Sequence, residues 1–284
     1  CQLPIDLKRV TDTLSNLGQS PNVGAALIVS LGCEGTDHER MVEEIRAAGK
    51  PVEIIRIQEL GGTSRAIQAG IDAAQRLVQE ISGLQRETVD ISEVVMAIKC
   101  GASDTTSGMA SNCVIGYVAD KLVDLGATVV FGETTEFLGG EHILAKRAVG
   151  GENGPIGQKI YEIVDRMEKR AKSVGEDMRG GQPTPGNIAG GLSSIEEKSL
   201  GAIVKSGHRP IQGVLEYCDR VDGQKGLWIK DAPGREPEIL TGMAATGAQF
   251  MMFSTGRGAP QGFPSMPVIK ICGNPHTYER MQHD

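Results

Sequence analysis

Val94-Val95-Met96-Ala97-Ile98-Lys99-Cys100-Gly101-Ala102-Ser103-Asp104-Thr105-Thr106-Ser107-Gly108-Met109-Ala110-Ser111-Asn112 is the stretch on which the reading of the chain turns. Its first five residues are apolar and mostly β-branched, the signature of a strand buried on both faces of a parallel sheet. Val114 to Val123 follows with apolar residues at helical spacing. The segment between is therefore a strand-to-helix turn at the carboxyl edge of a sheet, where open α/β folds bind ligands. It concentrates a thiol, several hydroxyls, a carboxylate and an amide. Ser103, Thr105, Thr106 or Ser107 can cap the helix, so that its free N–H groups face the same pocket.

The same grammar recurs on either side. Ala25–Leu31 and Val52–Ile57 read as strands, the first ending at the polar turn Gly32–His38 and the second at Gly61-Gly62-Thr63. Thr128-Val129-Val130-Phe131 is another, ending at Gly132-Glu133-Thr134-Thr135-Glu136-Phe137-Leu138-Gly139-Gly140-Glu141-His142. Helical patterns cover Asp6–Leu17, Glu39–Ala48, the stretch up to Ile81, and Ile156–Val174. This alternation predicts βαβ crossovers and a flavodoxin-like or Rossmann-like parallel sheet over residues 1–178. The Gly- and Pro-rich segment Met178–Gly191 marks the expected boundary. A second, smaller α/β domain over 179–284 would hold strands at Gly226–Ile229, Ala248–Phe253 and Pro267–Ile271. Its landmark is the strand-end turn Thr255-Gly256-Arg257-Gly258.

Composition narrows the class. The 284 residues include 38 glycines and carry a formal charge of −7, which speaks against nucleic acid or a membrane surface as the main partner. Six scattered cysteines form neither a CxxC pair nor a disulfide framework, and no long apolar run is present. A cytoplasmic protein with reduced thiols is expected, and a homo-oligomer. The absence of an initiator Met suggests a piece of a longer protein. Glu133, Glu136 and Glu141, with His142, offer oxygen and nitrogen ligands for a divalent metal at a strand end; Cys33 and Cys100 are less favoured members. Arg257 in a glycine-flanked turn is suited to a carboxylate or sulfonate. No Gly-x-Gly-x-x-Gly follows the early strands, which removes a dinucleotide oxidoreductase.

Taken together, the motifs resemble those of the altronate and galactarate dehydratase family. Lys99-Cys100-Gly101-Ala102-Ser103-Asp104-x-x-Ser107-Gly108 is similar to its Lys/Gln-Cys-Gly-Gly-Ser-Asp-x-x-Ser-Gly pattern. Pro183-x-Pro185-Gly186-Asn187-x-Ala189-Gly190-Gly191-Leu192, Glu197-Lys198-Ser199-Leu200-Gly201, Thr255-Gly256-Arg257-Gly258, Gly61-Gly62-Thr63 and Glu133-x-x-Glu136-x-x-Gly139-x-Glu141 follow in order. The likeness runs along essentially the whole chain. It departs at Ser111-Asn112-Cys113, where family members often have Asn-Pro. Family chains also continue beyond the position of Asp284. The large subunit of the sulfolactate sulfo-lyase shares these features, so a small partner subunit is an expectation too.

The resemblance implies a lyase. A proton next to a carboxylate is removed, a β-substituent leaves, and a 2-oxo acid forms from a small anionic hydroxy acid. Water leaves in the sugar-acid reactions and sulfite in the sulfolactate reaction; a non-catalytic sugar-acid-binding subunit is the reading from another class. A divalent metal, Fe²⁺ by resemblance, would polarise the substrate, held by Glu133, Glu136 and Glu141. Asp104 is the first choice for acid/base work, with Ser103, Cys100 and Ser107 beside it. Asn112, Lys198, Thr255, Arg257 and Lys270 are the expected substrate contacts. On that reading Arg257→Lys mainly raises KM, because the bidentate grip is lost.

Overall fold

The computed structural model describes residues 3–283. Its amino-terminal unit runs α1 (Pro4–Gly18), β1 (Ala26–Ser30), α2 (His38–Ala47), β2 (Val52–Arg56) and α3 (Thr63–Ile81). β1 and β2 form a parallel two-stranded sheet. Two strands cannot stand alone in water, and this pair is supported by helix packing of Ala66 and Ala73 over Ile55. The unit is tied to the rest of the chain through α1. Leu17 joins the main core, and Asn16 Nδ2 donates to the Cys218 carbonyl at 2.8 Å.

The main body continues with β3 (Val95–Gly101), a wide turn over Ser107–Ser111, α4 (Asn112–Asp124) and β4 (Thr128–Phe131). Then come α5 (Glu141–Lys146), α6 (Pro155–Ser173), α7 (Met178–Gly181), α8 (Pro185–Ala189) and α9 (Ile195–Ile203). β5 (Ile211–Leu215), β6 (Gly226–Lys230), α10 (Glu236–Ala245), β7 (Phe250–Thr255), β8 (Val268–Cys272) and α11 (Pro275–Met281) complete it. The six strands lie in the order β5-β6-β4-β3-β7-β8, and every neighbouring pair is parallel.

Both faces of the sheet are covered, which is why its strands read as unbroken apolar runs. Met96 and Ile98 point into a layer with Ile115 of α4, Ile160 of α6 and Ile195 of α9. Ala97, between them, points the other way, into a layer with Ile239, Leu240 and Met243 of α10. β5 had not been expected: Gln212 and Gly213 interrupt its apolar pattern, and it lies at the edge of the sheet.

The parallel α/β architecture matches expectation, whereas the division at 178/179 does not follow the sheets. β3 and β4 from before that point lie between β6 and β7 from after it, in one ladder. The smaller unit is the amino-terminal one. The 178–191 segment is not a linker either. Thr184 caps α8 in a reciprocal capping box with Asn187, and Asn187 Nδ2 donates to the Ser103 carbonyl at 2.8 Å.

Candidate functional site

The carboxyl ends of β3 and β4 create an unusual charge arrangement. Register pairs Ile98 with Phe131, so β4 stops one residue before Lys99 while β3 continues alongside β7 through Gly101. The chain leaves β4 through Gly132, where a Cβ would lie 3.0 Å from the Lys230 carbonyl oxygen and 2.9 Å from the Met243 methyl. Glu133 then adopts φ 70° and ψ 61°, a left-handed conformation that costs a non-glycine residue about 1–3 kcal/mol. The turn folds its carboxylate back over the end of β3. There Oε2 accepts the Cys100 N–H at 3.0 Å, standing in for the carbonyl that β4 no longer supplies.

Successive side chains of a strand point to opposite faces, and Glu133 draws cations from both. Lys99 Nζ reaches Oε1 at 3.0 Å and Lys205, just beyond α9, reaches Oε2 at 2.8 Å. All three side chains are at most 1% exposed. Lys99 also donates to the carbonyls of Cys100 and Gly234 at 2.7 and 3.0 Å, lies 5.0 Å over the Phe253 ring and stands 3.6 Å from Glu236. Complete burial opposes ionisation of Glu133, but Lys205 and then Lys99 hold its carboxyl below the usual range. Burial likewise works against charge on Lys205, yet the Cys100 sulfur and Glu133 keep it firmly protonated. Desolvation, then the Glu133 charge, pushes the Cys100 thiol up to about 11. Cys100 is thus a neutral thiol whose sulfur accepts from Lys205 at 3.2 Å.

A cavity of about 470 Å³ opens over this edge, within the range of small-molecule sites. Lys99 and Cys100 line it from β3, Ser103 from the turn after β3, Glu136 from the turn after β4, Glu236 from the start of α10, and Lys198 from α9. Lys198 Nζ pairs with Glu136 Oε1 at 3.3 Å and donates to Gln182 at 2.7 Å. The other Glu136 oxygen is buried without a partner among the described residues. The enclosure therefore offers cations, a thiol and an unsatisfied carboxylate oxygen side by side.

Of the residues singled out in the sequence, Cys100, Ser103, Lys198 and Glu136 meet at this cavity. Asp104 does not line it. Its Oδ1 accepts from Thr106 Oγ1 at 2.6 Å and the Ser107 N–H at 3.1 Å, and its Oδ2 accepts from Asn274 at 2.9 Å. Asp104 and Ser107 thus hold the turn, as the simple capping reading required. Asn112 is a crosslink, donating to the Gly201 carbonyl at 2.8 Å and accepting from Ser254. Thr255 accepts the Gly258 N–H at 3.0 Å. Exposed Arg257 donates to the Gly186 carbonyl at 2.6 Å. Lys270 donates to the Ala259 carbonyl and lies 5.2 Å from the Phe253 ring. None of Asn112, Thr255, Arg257 or Lys270 borders the cavity.

Two family models divide this chain between them. "D-galactarate dehydratase/Altronate hydrolase, second domain" matches residues 1–82, and "D-galactarate/Altronate dehydratase, C-terminal" matches 91–284. The chain belongs to the galactarate/altronate dehydratase family. Among curated members it is 41% identical to the (2R)-sulfolactate sulfo-lyase subunit beta of Chromohalobacter salexigens, over 99% of this chain and 71% of that one. It is 33% identical to the altronate dehydratase of Bacillus subtilis, over 99% of this chain and 55% of the relative. Identity to the galactarate dehydratase (L-threo-forming) of Escherichia coli is 35%, over 92% and 50%. The chain thus spans about half the length of the dehydratases and under three quarters of the sulfo-lyase subunit.

Within this lyase family fold, the expected carboxylate triad for a metal does not come together. Glu133 is held between two ammonium groups, Glu136 pairs with Lys198, and Glu141 opens α5 with a buried Oε2 that has no partner among the described residues. Among the described residues no three His, Cys, Asp or Glu side chains stand where they could share a metal ion. Ala102, where the family pattern has glycine, has φ 49°, in the region glycine favours. Lys205 and Glu236 went unnoticed in the sequence. The one available signal for Lys205 was a lone lysine at the end of the apolar run Leu200–Val204. No helix among the described residues is long and apolar enough to cross a membrane.

Proposed function

We propose that the chain is the catalytic part of a lyase that removes the proton next to a carboxylate in a small hydroxy acid and expels the β-substituent. The observation that carries this reading is the cavity whose lining brings Glu136, Lys198 and Cys100 together, with one Glu136 oxygen left without a hydrogen-bond partner among the described residues. Lys198, Lys99 and Arg235 supply positive charge for a substrate carboxylate and for the enediolate that follows deprotonation. Glu136 takes the α-proton. The electrons of the broken C–H bond form the C–C double bond as the β-substituent departs with its bonding pair. Cys100, protonated at neutral pH, gives its proton to a departing hydroxide; the adjacent Lys205 ammonium stabilises the thiolate until solvent returns the proton. The enol product then tautomerises to a 2-oxo acid. General acid and base groups of this kind contribute roughly 10²–10⁴-fold each.

Sulfite is the favoured leaving group, because the 41% identity to a sulfo-lyase subunit extends along 99% of this chain. That relative's designation as subunit beta makes a second subunit part of the proposal. Water is the second reading, supported by the two dehydratases. An anaerobic assay of 2-oxo acid on sulfolactate, altronate and galactarate, with and without Fe²⁺ and with any copurifying subunit retained, tests it. Pyruvate with sulfite is the expected result. A 2-oxo product from a sugar acid moves the chain to the dehydratases. Binding of all three without product overturns the lyase and leaves an acid-binding subunit.

A further inference from the structure

A second cavity, about 430 Å³, lies behind the loop that joins β6 to α10. Pro233 lines both cavities, so one loop separates them. Three guanidinium groups border the second one: Arg9 of α1, and Arg166 and Arg170 of α6. Arg166 is committed, at 2.7 Å to Glu216 and 2.5 Å to Asp231. Arg9 and Arg170 have no ion pair among the described residues. Glu238 stands in the same lining with one oxygen paired to Arg235 at 2.8 Å. Its other oxygen, Oε2, is buried and has no hydrogen-bond partner among the described residues.

An orphaned, buried carboxylate oxygen is costly unless something donates to it. Two uncommitted guanidinium forks are matched by a carboxylate. A ligand that satisfies both must carry an anionic end and hydroxyl donors. An ammonium donor is disfavoured by the two uncommitted arginines, Arg9 and Arg170. We infer that this cavity is a second binding site, for a small polyhydroxylated carboxylate. Its carboxylate meets Arg9 and Arg170, and one of its hydroxyls donates to Glu238. The inference rests on side chains that the proposed reaction does not use.

Gluconate is a suitable probe, with acetate as the carboxylate that lacks hydroxyls, both titrated calorimetrically into the whole chain. Lys198→Ala serves as background, removing one of the three cations at the first cavity. One gluconate is expected to bind that protein, at least tenfold more tightly than acetate. Arg9→Ala/Arg170→Ala should weaken it at least tenfold, and Arg9→Lys/Arg170→Lys, which keeps the charges, should weaken it less. Glu238→Gln should narrow the gap between gluconate and acetate. Gluconate binding that ignores both arginines overturns the inference, as does no binding to the Lys198→Ala protein. Equal affinity for acetate overturns the hydroxyl contact. Turnover is not the readout, so a chain that binds gluconate through Arg9 and Arg170 yet converts no hydroxy acid would sink the lyase reading and leave this site standing.

Discussion

Glu133 is a carboxylate held out of water by two ammonium groups, and its energetics follow from that. Removing one partner of a buried ion pair leaves an uncompensated charge, at a cost of about 3–5 kcal/mol. Lys205→Met leaves Glu133 with Lys99 alone and should lower unfolding free energy by up to about that amount, read from urea midpoints. Adding Glu133→Gln should deepen the loss, because the buried Lys99 then loses its carboxylate; a Lys205→Met cost below about 1 kcal/mol would show that the charges are not paired as described. Because the folded Glu133 carboxyl is depressed below 4.5, its stabilisation is full above that pH and is lost as pH falls through the folded value. Lys230 behaves oppositely. Buried beneath Tyr217, it donates to the carbonyls of Glu216 and Asp219 and is pushed by desolvation down to about 7. Between pH 7 and 10.5 the unfolded chain holds a proton that the folded one has shed, so stability rises with pH. Lys230→Met should abolish up to about 2 kcal/mol of that rise between pH 7 and 9. The slope is the readout, because the lost donations to the two carbonyls shift both pH values alike.

At the scale of elements, the site depends on close approach of backbones. Gly116 lets α4 touch the turn that carries Lys205: a Cβ there would lie 2.4 Å from the Val204 carbonyl oxygen. Gly116→Ala should cost about 1–3 kcal/mol through overpacking, and should lower activity on whatever hydroxy acid proves to be the substrate by displacing Lys205. Thermal unfolding and kcat measured on the same sample would separate the two effects. Arg257 holds the α8 turn through the Gly186 carbonyl. Arg257→Lys should thus leave KM within about threefold and change protease sensitivity around residues 183–187 instead, whereas Lys198→Ala should raise KM about tenfold or more, the worth of a charge-assisted contact. A large KM effect of Arg257→Lys would return Arg257 to the substrate.

Across the whole molecule, what could be read from the sequence was what is local. The apolar run at 94–98 announced a doubly covered strand, and the residues after it announced a strand-end site containing Cys100 and Ser103. Lys198 emerged from the family motif. The rest depends on tertiary geometry that spacing does not encode. Glu133, Glu136 and Glu141 look like one acidic cluster in the chain, but the left-handed turn at Glu133 sends its carboxylate under β3, away from Glu141. Asp104 presents the same sequence signal whether it moves a proton or caps a turn. Lys205 arrives from an element that the sequence showed only as a helix end. The Gly- and Pro-rich segment at 178–191 read as a domain boundary, but the same residue types also build tight walls such as the capped α8 turn.

The interleaved strand order also sets a timetable for synthesis. Lys205 lies 105 residues after Cys100, and Ser254, whose hydroxyl donates to the Lys99 carbonyl, lies 155 residues after Lys99. At about 5–20 residues per second, a ribosome delivers Lys205 roughly 5–20 seconds after Cys100, and β7 later still. For that interval β3 has an unpaired edge, Val95 to Gly101, of the kind that sticks to other chains. The charge cluster also remains hydrated until both flanking segments dock. A nascent chain of this family therefore needs its exposed β3 edge guarded while it waits, and the buried ion pairs should be among the last contacts it closes.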